Sequence, residues 1–160
     1  GAPAEALPGA GDGVRRQGNA LVMAGIAGLG AVALGLLYAN HTFGPTEAEV
    51  VKWGRIAIAL GAVTAAIAVV TAWLPLAAIR LALAAGCTAI SLMQLPPVAA
   101  WFLFHGSGIS DGSPPSAFVA HWAYSLPHLA VAVLGLAATV QLVRHAPTTT
   151  RTPNTPGDHR

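Results

Sequence analysis

Apolar residues in this chain gather into four long runs, separated by short clusters of charged residues, Gly and Pro. The first, ALVMAGIAGLGAVALGLLYA at residues 20–39, contains no charged side chain. About 20 helical residues rising 1.5 Å each cross a hydrocarbon layer of about 30 Å. The run follows Arg15 and Arg16 but exceeds the roughly 7 to 15 apolar residues of a secretory signal, so it is expected to be an uncleaved helix. The second run covers residues 56–76 and ends at LPLAAIR, where Pro75 and Arg80 leave room for only a very short connection. Such a link forces the two helices it joins to run antiparallel.

The third run, residues 81–104, carries Gln94, Pro96 and Pro97 near its middle. Two consecutive prolines delete two backbone donors, so a kink is expected there. The fourth covers residues 118–143, contains Pro127 and stops before Arg144. Between the third and fourth lies HGSGISDGSPPSA, whose Gly, Ser and Pro content predicts irregular structure. Residues 1–18 are expected to be a flexible segment, residues 19–145 a transmembrane domain, and residues 146–160 a disordered Thr/Pro-rich tail.

Composition agrees with the pattern. Only 9% of the 160 residues are charged and 54% are hydrophobic, where a soluble domain carries roughly 25% charged residues. Between Ile56 and Val143 the charged side chains are Arg80 and Asp111 alone. The expected fold is all-α, a polytopic antiparallel four-helix membrane bundle. The formal charge of +2 comes from scattered residues, so nucleic acid is not an expected partner. The lone Cys87 excludes an intramolecular disulfide, a CxxC redox pair and a thiolate-rich zinc site.

Orientation follows from the bias of Lys and Arg towards cytoplasmic loops. One side would hold Arg15, Arg16, Arg80, Arg144, Arg151 and Arg160, and the other only Lys52 and Arg55. Both termini are therefore expected to be cytoplasmic, in a multi-pass protein of the cell membrane. Small residues recur four apart at Ala20, Ala24 and Gly28, at Ala27, Ala31 and Gly35, and at Ala57, Gly61 and Ala65. That spacing lets helix backbones approach closely in lipid, and the first helix has two such faces.

Candidate chemistry lies towards the outer side. Gln94, Trp101 and His105 share one face of the third helix, and His121, Tyr124 and His128 share one face of the fourth. Facing each other, they would form a polar and aromatic column from the outer surface. By helical rise, His128 sits about 10 Å below His121 and Gln94 about 16 Å below His105. Polar groups at such depth face the bundle interior or a water-filled cavity. Gln94, Trp101, His105 and His121 are the expected ligand-binding residues. No HExxH spacing is present and no metal site is expected; the nearest approach to one would gather His41, His105 and His121. The sequence specifies no cofactor.

Two functions are compatible with these residues. In the first, the chain packs against partner membrane proteins, in a larger complex or a homo-oligomer, and its outer pocket takes a hydrophobic or redox-active ligand such as a quinone. In the second, Tyr124 and His128 act as acid and base on a lipophilic substrate in a membrane-embedded enzyme. Nothing in the chain supplies a nucleophile, a phosphate loop or a paired carboxylate.

Overall fold

The structure, a computed structural model, describes residues 10–42, 46–103 and 122–144. They form four helices: α1 (Ala10–Ala39), α2 (Ala48–Trp73), α3 (Ala77–Leu103) and α4 (Trp122–Arg144). Each is long and apolar enough to cross a membrane. Three of them start earlier than the apolar pattern implies, α3 by only four residues, at Ala77. α1 begins at Ala10, inside the segment expected to be flexible, and α2 at Ala48. Arg15, Arg16, Gln17 and Glu49 extend these helices past their apolar runs, because a charged side chain ends burial in lipid without ending a helix. The expected disordered tail and the loop between α3 and α4 lie outside the described residues.

Helices consecutive in the chain pack against each other, and α1 also closes the ring against α4 and touches α3. The α1–α2 contact is built on glycine. A Cβ on Gly35 would stand 2.5 Å from the Gly54 carbonyl oxygen, and one on Gly28 2.7 Å from that of Gly61. Rising numbers on α1 thus meet falling numbers on α2, with backbones in contact as small residues permit. The other face of α1 also carries small buried residues: Ala20 and Ala24 join Leu83, Cys87, Ala138 and Leu142 in one core cluster.

The α3–α4 contact is polar by comparison. Arg80 donates to the Leu142 carbonyl at 3.3 Å, Thr139 to Ala84 at 3.3 Å, Ser91 to Ala132 at 2.8 Å and Ser125 to Val98 at 3.1 Å. Such links hold helices together where lipid offers no hydrophobic incentive to associate. Pro96 and Pro97 both lie within α3, which is assigned as helix from Ala77 to Leu103 without a break. In an apolar setting, unwinding the helix would free more backbone groups than the two donors the prolines remove.

Candidate functional site

Three helices converge on His128. It sits six residues into α4, is 2% exposed, and uses both ring nitrogens. Nδ1 lies 2.6 Å from Oε1 of Gln94 on α3, and Nε2 lies 2.8 Å from the Tyr38 hydroxyl on α1. A carbonyl oxygen can only accept, so Nδ1 carries a proton and donates to Gln94, and in the neutral form of the ring Nε2 is then the acceptor. Tyr38 then donates to His128. The Tyr38 oxygen in turn accepts from the Trp101 indole nitrogen at 2.8 Å. The four groups form one directed chain: Trp101 to Tyr38, Tyr38 to His128, and His128 to Gln94.

Local structure explains why Tyr38 is held so firmly. α1 ends with the Thr42 amide donating to the Leu37 carbonyl at 3.0 Å and the His41 amide to the Tyr38 carbonyl at 3.2 Å. This pair of bonds is a Schellman cap, and its left-handed position is occupied by His41, at φ 54°. The cap fixes the last turn of α1 and with it the Tyr38 side chain. Trp101, 1% exposed, packs with Tyr38 in a small aromatic cluster that Val50, Ala100 and Tyr124 border.

A cavity of about 470 Å³ opens beside this chain. Leu34, Gly35 and Tyr38 of α1 line it, as do Val50, Trp53, Gly54 and Ala57 of α2. α3 contributes Leu92 to Gln94, Pro96, Pro97 and Ala100, and His128 is the contribution of α4. The volume lies within the range of small-molecule sites, about 300 to 1,000 Å³.

The residues expected from sequence divide into three groups. Gln94 and His128 meet directly and line the cavity. Trp101 and Tyr124 pack against each other with ring centroids 4.7 Å apart and are not among the cavity-lining residues. Tyr124 is also not the phenol bonded to His128; that group is Tyr38. His105 and His121 lie outside the described residues, while His41 is an exposed capping residue. Among the described residues no three His, Cys, Asp or Glu side chains come together as a metal site would require. Sequence reasoning missed Tyr38. Its one available signal was depth: Tyr38 lies one residue from the end of the first apolar run, and Trp101 three residues from the end of the third. Comparison with known protein families, with curated proteins and with solved structures finds no match.

Proposed function

We propose that this chain is a small multi-pass protein of the cell membrane, an antiparallel bundle with both termini cytoplasmic. In this reading it binds a hydrophobic or redox-active ligand, such as a quinone, in the cavity beside His128, and it works in association with partner membrane proteins or further copies of itself. The observation that carries the ligand reading is the conjunction of an apolar cavity with a buried Tyr38–His128–Gln94 chain at its wall. A protein that needed His128 only to join helices would gain nothing from an adjoining space. Partner association draws support from α1, where a Cβ on Gly18 or Gly25 would meet nothing within 4 Å. Glycines open to the surroundings suit the close approach of another helix.

The alternative of acid–base chemistry would draw on His128, with Tyr124 as its companion. Both His128 ring nitrogens already have partners, so the ring would have to release one before handling a substrate proton. That cost favours binding over catalysis. The test is purification from the native membrane, followed by organic extraction of the purified protein and a census of co-purifying chains. A lipophilic compound retained by the wild type and lost from a folded His128→Leu variant supports the cavity reading. Stoichiometric partner chains support the association. A solitary protein with an empty extract overturns both.

A further inference from the structure

We propose that the ligand is uncharged, presents an oxygen that accepts a hydrogen bond from the Gln94 amide nitrogen, and reaches the cavity sideways from the bilayer between α2 and α3. This rests on the reading of the cavity as a binding site and adds what kind of molecule it selects.

The direction of the hydrogen-bond chain sets the head group. Trp101 spends its N–H on Tyr38, Tyr38 its O–H on His128, and His128 its Nδ1–H on the Gln94 carbonyl oxygen. Each donor is consumed by the next residue until Gln94. That side chain is 3% exposed and lines the cavity, and its one hydrogen bond among the described residues is the bond to His128. Its amide nitrogen carries two protons and accepts nothing. The cavity is therefore met by a donor, and a carbonyl or hydroxyl oxygen is the complementary group.

A hydroxyl would find a second partner. Pro96 and Pro97 have no N–H, so the carbonyls of Leu92 and Met93 lack the donor four residues ahead that a helix normally supplies. Both of those residues line the cavity. Charge is excluded by the same inventory, because no Asp, Glu, Lys or Arg is among the lining residues. A carboxylate or ammonium group would lose its water there without any counter-charge.

The route follows from the rim. Leu92 is 61% exposed and Trp53 51% exposed, on α3 and α2 respectively, and Pro96 beside them is also exposed. These apolar edges face the direction in which lipid would lie. A lipophilic molecule already dissolved in the bilayer can slip its head past them to Gln94 while its tail stays outside.

The experiment uses the full chain in nanodiscs of a zwitterionic phospholipid, with a decyl-substituted benzoquinone as the probe. Quinones quench nearby indoles, so binding is read as loss of fluorescence, and Trp53→Phe should remove most of that signal. Decanol should displace the quinone, whereas decanoate and decyltrimethylammonium should not. Gln94→Met should weaken quinone binding by about tenfold, the scale of one lost hydrogen bond. Met93→Trp, at a partly exposed lining position, should block binding in a folded protein. Equal displacement by charged and uncharged competitors, or quinone binding unchanged in folded Gln94→Met, overturns the head-group rule and leaves cavity binding standing. Quinone binding unchanged in folded Met93→Trp places the quinone outside the cavity and overturns the inference together with the binding reading. No quenching by the quinone in the folded wild type overturns this inference together with the binding reading.

Discussion

Among the described residues Tyr38 makes two hydrogen bonds through one oxygen, accepting from Trp101 and donating to His128. Replacing it with Phe keeps the ring but strands both partners in an apolar interior. The expected loss is about 1 to 2 kcal/mol, at the upper end of what interhelical hydrogen bonds contribute in membrane proteins. Thermal unfolding in detergent measures it, and a cycle with Trp101→Phe should be clearly non-additive because the two changes remove one shared bond. Strict additivity would show that the Trp101–Tyr38 bond contributes nothing. His41 offers a change of opposite sign. A non-glycine residue in the left-handed region is strained, and glycine at that cap position is not. His41→Gly should therefore raise stability, by up to about 1 kcal/mol, and a drop in melting temperature would mean that the imidazole does more than cap. The pairing of Gln94 with His128 was legible in the sequence, because helical rise placed both well below the outer rim. Tyr38 was not, since it stands at the end of a uniform apolar run, and the polar residues at helical spacing from it, His41 and Thr42, lie just past that run.

Helix pairs depend on different residues. α1 meets α2 through glycine and α3 meets α4 through hydroxyls, so their sensitivities to substitution should differ. A Cβ on Gly61 would collide with the Gly28 carbonyl oxygen, whereas one on Gly25 would meet nothing. Gly61→Ala should thus cost about 1 to 3 kcal/mol by forcing the helices apart. Gly25→Ala should be neutral or stabilising by up to about 1 kcal/mol, through helix propensity alone. Chemical denaturation of the two variants side by side decides the matter, and equal effects would mean that the α1–α2 crossing is looser than described. The small-residue spacing made this contact readable from sequence: Gly28, Gly35 and Gly61, picked out by their four-residue spacing, lie at the crossing. Ser91 and Ser125 of the α3–α4 contact went unread, because single hydroxyls in apolar runs show no period until the facing helix is known. α1, α2 and α3 start ahead of their apolar runs for a related reason. Apolar length measures how far a segment sits in lipid, and α1 continues beyond it through Arg15 and Arg16.

Across the whole molecule the distribution of side chains is inverted relative to a water-soluble bundle. Val22, Leu29, Val63, Val69, Leu136 and Val143 point outwards, while Thr71, Ser91, Gln94 and His128 are buried. This is the arrangement expected where the surroundings are hydrocarbon and polar groups must find partners inside. Which end of the bundle faces the cytoplasm decides which leaflet supplies the cavity, since Tyr38, Trp53 and Gln94 all lie towards the end of the bundle where α1 turns into α2. In the proposed topology, drawn from the Lys and Arg bias, that end faces outward. Thr42, exposed just past the cap of α1, reports on it directly. Cys87 is buried and should not react in the folded protein, so the native chain gives a clean background. A Thr42→Cys variant should react with an impermeant maleimide added to intact cells, and a Thr148→Cys variant only after the membrane is permeabilised. The opposite pattern would invert the topology, place the cavity in the cytoplasmic leaflet, and require any ligand to arrive from that side.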